Sequence, residues 1–218
     1  MKNYKKICIC VSGLDGSGKT FIINKIVNNF SNVINFKYIW SRFKNYTSKP
    51  LLLLTRLTGH NYKEKINGTK IGYHDFYKSK ILSILFLFFQ WIDQFLEIIL
   101  RFKTSQVSII ADRCLVDTLV DISIDTKMEK FVFGIFAKSL FKLMPKDTIY
   151  IILKRNVELI KNNRPDAFYD KNLLRRKELF EKISKLYPIH IIENDNSSEE
   201  TLNKISKIIN EKLNEKTS

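Results

Sequence analysis

Cysteine is scarce in this chain, which has three in 218 residues. Cys8, Cys10 and Cys114 do not have the spacing of a zinc site. Cys8 and Cys10 fall in a short apolar segment, where alternate side chains of a strand face the same way, so we expect small buried residues there. Nothing in this pattern indicates an oxidising compartment, and we expect a cytoplasmic location.

The chain also lacks an uninterrupted apolar run of the length that a bilayer requires, about 20 residues. No such run precedes residue 13, so no signal peptide is predicted. The most apolar segment, Ile81 to Leu100, contains Asp93 and Glu97 in its second half, which a membrane span would have to bury. The segment is typical of a central helix packed against a sheet. Stable membrane insertion is not expected, and contact of its Phe-rich first half with a membrane surface stays open.

Acidic residues are outnumbered, with 22 Asp and Glu against 37 Lys and Arg, which gives a formal net charge of +15. Such a charge is compatible with nucleic acid, an anionic membrane or nucleotide phosphates as partners. The lysines are scattered along the chain, and no basic motif interleaved with aromatic residues occurs. We therefore interpret the charge mainly as a solvated surface and expect no nucleic-acid partner.

Internal repeats and linkers are absent as well. A chain of 218 residues is long enough to bury a good core without metal or disulfide bonds. Five strands are predicted, at about residues 6–11, 35–40, 107–111, 147–153 and 189–193, with helical patterns between them. This alternation predicts a single α/β domain over 1–218, in which a five-stranded parallel sheet has helices on both faces in three layers.

What the chain does contain is a glycine-rich segment at residues 13–20. Its sequence, Gly13-Leu14-Asp15-Gly16-Ser17-Gly18-Lys19-Thr20, fits G-x-x-x-x-G-K-[ST] in full. A β-branched apolar strand precedes it and a helical pattern follows from Phe21, as a phosphate-binding loop requires. Glycines let backbone N–H groups close around an anion at the positive end of a helix. The segment predicts a P-loop; a glycine turn that binds nothing is the alternative.

The residue types in this loop suit ATP and Mg²⁺. Lys19 would reach the β- and γ-phosphates, and the Thr20 hydroxyl would ligate the metal ion. The expected nucleotide-binding residues are Gly13, Asp15, Gly16, Ser17, Gly18, Lys19 and Thr20.

Four segments, in their order along the chain, resemble the thymidylate kinase family of P-loop nucleoside monophosphate kinases. The first is the loop at 13–20, including its acid before the second glycine. The second, Phe88 to Arg101 followed by Val107–Arg113, is similar to that family's long helix leading to a strand that ends in Asp-Arg. The third, Leu153 to Arg164, resembles its strand, helix and basic lid, and the fourth, Arg175 through Leu202, its penultimate helix, strand and last helix. The likeness spans nearly the whole chain, although only the loop is specific on its own.

The resemblance implies roles for three residues near the ends of the predicted strands. Arg113 would hold an acceptor phosphate, and Asp112 would lie near Mg²⁺ or its waters; a salt-bridged strand end is the alternative for this pair. Asp15 would contact the acceptor sugar or orient the lid, or would simply form a turn.

The resemblance also implies a catalytic arginine, which comes either from the P-loop or from the lid in this family. The loop has no basic residue between Gly13 and Gly18, so we expect the lid, about residues 154–172, to supply it. Arg164 is the candidate, because a guanidinium fork suits a transferring phosphoryl group better than a lysine does. Arg176 is a second candidate, and a surface arginine is the alternative interpretation of Arg164.

The acceptor side departs from the family's pattern. The family's Thr-Arg-Glu-Pro-Gly-Gly stretch is missing, and Arg42 is the candidate for its phosphate-binding role. Gln94, after Asp93, stands where the family has a base-reading arginine. Cys114 and Asp117 replace an aromatic residue and a serine after Asp-Arg. The expected acceptor-binding residues are Asp15, Arg42, Asp93, Gln94 and Arg113.

Together these features predict ATP- and Mg²⁺-dependent phosphoryl transfer to a nucleoside monophosphate, with conversion of dTMP to dTDP the leading hypothesis. A kinase of the same fold that acts on another small-molecule or lipid-linked acceptor is one alternative, favoured by the altered acceptor segment and the Phe-rich helix. A nucleotide-binding protein without turnover is the other. The family resemblance implies a homodimer.

Overall fold

The computed structural model describes residues 6–42, 45–66, 69–164, 167 and 169–215. Its strands are β1 (Cys8–Gly13), β2 (Phe36–Trp40), β3 (Asn61–Ile66), β4 (Thr69–His74), β5 (Ser108–Asp112), β6 (Thr148–Lys154) and β7 (Ile189–Glu193). Its helices are α1 (Lys19–Phe30), α2 (Lys49–Leu57), α3 (Lys80–Glu97), α4 (Leu115–Thr126), α5 (Glu129–Phe131), α6 (Ala137–Leu143), α7 (Val157–Asn163), α8 (Leu173–Ser184) and α9 (Ser198–Glu215). A short 3₁₀ turn, Phe76–Lys78, precedes α3, and π-helical turns follow α3 at Ile98–Lys103 and α5 at Val132–Phe136.

Five of the strands form one parallel sheet in the order β2-β5-β1-β6-β7. The strand β1 lies at its centre, where Cys10 pairs with Ala111 on one side and Tyr150 on the other. All residues of β1 and β5 are buried, because helices cover both faces of a parallel sheet. The predicted five-stranded α/β fold is confirmed.

The two faces of β1 contribute to two separate hydrophobic cores. Ile9 and Val11 face α1 and α9, whose residues Ile22, Ile26 and Ile205 complete one core. On the other face, Cys8 and Cys10 belong to a second core that is built mainly with α3, α4, α6 and α8. The three cysteines are free and buried, as predicted for Cys8 and Cys10. Each isoleucine buried in this way stabilises the fold by about 1.5–3 kcal/mol.

The helix α3 turns polar side chains inward and some apolar ones outward. Asp93 and Glu97 are buried inside the protein, whereas Ile81 and Phe88 are 72% and 60% exposed. With its π-helical continuation, Lys80–Lys103 is long and apolar enough to cross a membrane by length and composition, and 44% of its most apolar window is buried. Asp93 accepts hydrogen bonds from the backbone and hydroxyl of Thr47 and from Ser48, so it holds the residues that precede α2.

The strands β3 and β4 form an antiparallel hairpin that the sequence did not predict. Asn61 pairs with His74 at its open end, and the N–H of Asp75 donates to the carbonyl of His60 just beyond. The hairpin carries His74 to the inner side of α4, where the ring meets Asp125.

Candidate active site

The loop between β1 and α1 has a backbone that requires its glycines. Gly13 and Gly18 have φ angles of 137° and 91°, in the left-handed region that favours glycine. A Cβ on Gly13 would stand 2.5 Å from the Leu153 carbonyl oxygen, and one on Gly18 would stand 2.6 Å from Asn194 Nδ2. The loop therefore packs closely against the ends of β6 and β7, with no room for larger residues.

Asn194, just after β7, holds the loop from the far end of the chain. Its Nδ2 donates to the Ser17 carbonyl at 2.8 Å, and its Oδ1 accepts from Thr201 of α9 at 2.9 Å. The Ser17 hydroxyl is fully buried and has no hydrogen-bond partner in the part of the chain that the structure describes. A buried polar atom without a partner is costly, so a phosphate oxygen is a fitting ligand for it.

Lys19, at the start of α1, folds back over the loop. Its Nζ donates to the carbonyls of Gly13 and Leu14 at 2.9 and 2.8 Å, and the residue is only 6% exposed. Burial lowers the pKa of Lys19, while the negative charges of Asp117 and Asp112 act in the opposite direction. An anionic phosphate would compensate this buried ammonium, so the loop fits the phosphates of ATP.

Thr20 and Asp112 meet next to the loop. The Thr20 hydroxyl donates to Asp112 Oδ2 at 2.5 Å, and the Tyr38 hydroxyl donates to the same oxygen at 3.3 Å. Within the described ranges, no group of three or more His, Cys, Asp or Glu side chains is placed to hold a metal ion alone. Mg²⁺ usually takes one or two protein oxygens and completes its shell with substrate phosphates and waters. The Thr20 and Asp112 oxygens fit that coordination.

Asp15 lies in the middle of a group of cations. Its carboxylate forms a close ion pair with Arg113, and stands 3.7 Å from Arg42 and 3.8 Å from Lys19. Arg113 follows β5 with a φ of 64°, an uncommon backbone conformation for a residue other than glycine. This conformation brings its guanidinium to the P-loop, and the N–H of Arg113 remains bonded to the Val11 carbonyl at 2.9 Å.

Three aspartates four residues apart line the inner side of α4, and each has a cationic or ionisable partner. Asp117 lies 3.5 Å from Arg113 and caps the helix by accepting from the Cys114 N–H. Burial raises the pKa of Asp117, and the positive charges of Arg113 and Lys19 act against that rise. The other two, Asp121 and Asp125, pair with Arg176 at 3.0 Å and with His74 at 2.8 Å.

A cavity of about 380 Å³ opens beside these aspartates, in the size range of small-molecule sites. Its walls include Trp40, Arg42, Tyr73, His74, Asp121, Asp125 and Arg176. A second cavity of about 560 Å³ shares Tyr73, His74 and Asn172 with the first. Arg42 connects the first cavity to the P-loop, because it also contacts Asp15.

Two arginines lie over the P-loop. A Cβ on Gly16 would stand 3.3 Å from Arg164 Cδ, so the stem of Arg164 covers that glycine. Arg155, the first basic residue after β6, donates to the Gly16 carbonyl at 3.5 Å, and its buried Nε has no partner in the ranges that the structure describes. Arg155 places its guanidinium, and Arg164 its aliphatic stem, beside the phosphate cradle.

No protein-family model matches the sequence, and no curated protein does either. Solved structures, however, match it over nearly its whole length. A thymidylate kinase from Candida albicans matches with a TM-score of 0.58 and 13% identity, covering 96% of this chain and 94% of that one. A thymidylate kinase from Ehrlichia chaffeensis matches with a TM-score of 0.56 and 16% identity, covering 94% and 100%. The chain has a thymidylate kinase-like fold.

In this thymidylate kinase-like fold, most of the predicted site residues lie together at the carboxyl ends of the strands. One region is surrounded by the P-loop, the carboxyl end of β5 and two further arginines. The residues are Asp15, Lys19 and Thr20 of the P-loop, Asp112 and Arg113 after β5, and Arg42 and Arg164. Asp93 and Gln94 are placed elsewhere. Both are buried in α3, and neither lines the two cavities beside Arg42 and His74.

Several residues of this region were not predicted from the sequence: His74, Asp121, Asp125, Arg155 and Asn194. The spacing of Asp117, Asp121 and Asp125 was a visible signal, because residues four apart share one face of a helix. His74 gave no such signal, since the apolar alternation beside it is short, with only Ile71 and Tyr73 in its strand.

Proposed function

We propose that the protein transfers the γ-phosphoryl group of ATP to a nucleoside monophosphate, with dTMP the leading acceptor. One observation carries this proposal: the Asp15 carboxylate contacts Lys19, Arg42 and Arg113 at once. Lys19 belongs to the P-loop, which would bind the donor ATP. Arg42 lines the cavity of about 380 Å³, which we assign to the acceptor and call the acceptor cavity. A protein that only binds a nucleotide needs no second set of cations facing its P-loop.

The chemistry needs positioning and charge neutralisation more than covalent help from the protein. An oxygen of the acceptor phosphate attacks the γ-phosphorus while the bond from that phosphorus to the β–γ bridging oxygen breaks, and ADP leaves with that electron pair. Arg42 and Arg113 hold the acceptor phosphate, releasing Asp15 as they do so. Arg164 faces the transferring group from the lid, where a planar fork matches its oxygens.

The P-loop residues bind the donor. Lys19 and the Ser17 hydroxyl face the phosphates, and Thr20 with Asp112 would hold Mg²⁺, which neutralises phosphate charge when bound. Lys19 is placed over the loop by the hydrogen bonds that its Nζ donates to two loop carbonyls.

We also propose that the protein works as a single cytoplasmic domain and as a homodimer. Large apolar side chains on the outer sides of α2 and α3 support the dimer, since such patches are often association surfaces. The most exposed are Leu57, Ile81 and Phe88.

A kinase that takes a larger phosphorylated acceptor is a second candidate, favoured by the second cavity. This cavity of about 560 Å³ adjoins the acceptor cavity, with which it shares Tyr73, His74 and Asn172. Together the two cavities offer more room than one nucleoside monophosphate fills.

The test is ADP release from ATP and Mg²⁺ with each of the common nucleoside and deoxynucleoside monophosphates. Turnover with dTMP is expected, and Lys19→Ala should abolish it. Lys25→Ala is the matched control, because Lys25 lies on the same helix but bonds to Ser198 and Glu199, away from the loop. If ATP binds and no monophosphate yields ADP, the proposed transfer is wrong and the larger acceptor becomes the better hypothesis.

A further inference from the structure

We propose that His74 determines which acceptor base is bound, by donating a hydrogen bond from Nε2 to a ring carbonyl oxygen, with Asp125 as its positioning residue. The proposal rests on the proposed transfer to a nucleoside monophosphate. It selects keto pyrimidines, such as thymine and uracil, over cytosine, whose amino group offers a donor at the corresponding position.

The orientation of the His74 ring is fixed on two sides. Its Nδ1 lies 2.8 Å from Asp125 Oδ2 of α4, and its face stacks on Phe76, with ring centroids 5.1 Å apart and planes within 5°. Phe76 is fully buried and Asp125 is largely buried, which restricts the movement of both residues. A ring held by a carboxylate on one edge and an aromatic face below presents its remaining edge in a defined direction.

That remaining edge carries Nε2. His74 lines both cavities, and its side chain is 31% exposed. Among the residues that the structure describes, none hydrogen-bonds Nε2. Burial raises the pKa of Asp125, and the hydrogen bond and charge of His74 act against that rise. The ionised carboxylate only accepts, so Nδ1 carries a proton, and a doubly protonated ring also has a donor at Nε2.

Asp125 favours that protonated ring. Burial alone would lower the pKa of His74, but the hydrogen bond and the charge of Asp125 raise it above its usual value. At neutral pH the ring therefore offers Nε2–H more often than an isolated histidine would.

The rest of the cavity is consistent with a nucleotide that spans it. Arg42 marks the phosphate end, because it contacts both Asp15 of the P-loop and Asp121 of α4. A ligand whose phosphate lies at Arg42 extends its base among the other walls, which include the rings of Trp40, Tyr73 and His74. Gln94 is buried in α3 and is not one of these walls, so His74 is the group placed to read the base.

Two substitutions of His74 distinguish the role of Nδ1 from that of Nε2. The amide of His74→Asn reaches the Nδ1 position and keeps a donor for Asp125, but it has nothing at Nε2. The amide of His74→Gln reaches the Nε2 position instead. Steady-state kinetics with dTMP, dUMP and dCMP should show a KM for dTMP and dUMP that is about 10- to 100-fold higher in His74→Asn, with kcat little changed. His74→Gln should retain most of the affinity, and dCMP should be affected less than dTMP in both variants.

His60→Asn is the matched control. His60 lies at the same open end of the hairpin, just before β3, where its Nδ1 is 3.1 Å from the Thr58 hydroxyl, and it lines neither cavity. Its kinetics should match those of the wild type.

Failure of this inference differs from failure of the proposed transfer. If the wild-type protein turns over dTMP and His74→Asn stays within twofold of it, His74 does not read the base, although the transfer stands. Equal losses for dTMP and dCMP in both variants would show a merely structural role and would also overturn the inference. If no monophosphate is a substrate of the wild-type protein, the proposed transfer itself fails.

Discussion

Asp15 and Arg113 form an ion pair that joins the P-loop to the carboxyl end of β5. Arg113 reaches it from a left-handed backbone conformation, with φ of 64°. Such a conformation costs on the order of 1–3 kcal/mol and persists only where the surroundings support it. Strained residues cluster at ligand sites, which agrees with a functional role for this arginine.

Replacing Arg113 or Arg42 with Ala should weaken acceptor binding. Each change removes a charged hydrogen-bond donor, whose loss costs about 1.5–3 kcal/mol, or roughly 10- to 150-fold in kcat/KM for the acceptor. The KM for ATP should change little. Lys204→Ala is the control, because Lys204 pairs with Glu200 on α9 and lines neither cavity. An unchanged acceptor kcat/KM in both variants would remove these arginines from the acceptor site.

Arg164→Ala should lower kcat by about 10³-fold or more with little change in ATP affinity, because its charge acts mainly on the transition state. Single-turnover rates and nucleotide titration measure the two quantities separately. A variant whose loss appears only in KM would make Arg164 a binding residue and would favour Arg155, which also lies over Gly16.

Thr20→Ala should raise the Mg²⁺ concentration needed for half-maximal turnover by about 10- to 100-fold, since an oxygen ligand and its bond to Asp112 are lost together. Thr20→Ser keeps the hydroxyl and serves as the control. Identical Mg²⁺ titrations for the Ala variant and the wild type would exclude Thr20 as a ligand.

Gly13→Ala should destabilise the fold by about 1–3 kcal/mol, because the backbone there is left-handed and the new Cβ would collide with the Leu153 carbonyl. Gly59→Ala is matched to it, since Gly59 also has a positive φ but has open space around its Cβ position. Urea denaturation should show the larger loss in the first variant. A smaller loss for Gly13→Ala than for Gly59→Ala would contradict the close packing of the loop.

The preference for keto bases should fall as the pH rises. His74 has a pKa raised by Asp125 against the effect of burial, so Nε2 is a donor below that pKa and becomes an acceptor above it. The ratio of kcat/KM for dTMP to that for dCMP should therefore decline on the alkaline side. Asp125→Asn keeps a hydrogen-bond acceptor without the charge and should shift the decline to lower pH. A ratio that is independent of pH in both proteins would contradict the protonation argument.

Other charged residues also surround His74, and they are the same in the wild type and in Asp125→Asn. Those on elements around the ring are Arg42, Arg56, Asp75, Asp121, Lys127, Glu129, Lys171, Arg175 and Arg176. Because Asp125→Asn alters none of them, a difference between the two pH profiles reports on Asp125.

The sheet and the P-loop could be predicted because their signals are local. Strands such as Ile149–Leu153 are continuous apolar runs, and the loop needs glycines at fixed positions to fold back on β6. The acceptor side could not be predicted in the same way. His74 and Asp125 are 51 residues apart, and the short hairpin strands carry three Lys and one Glu, which interrupt the apolar alternation that would mark them as strands. Only the fold brings these two residues together.

The bond between Asn194 and the Ser17 carbonyl spans 177 residues of sequence. A chain growing from its amino end makes the glycine loop 177 residues before this amide. Thr201 of α9, whose hydroxyl donates to the Asn194 side chain, comes later still. The glycine loop is thus translated long before the residues that complete its surroundings.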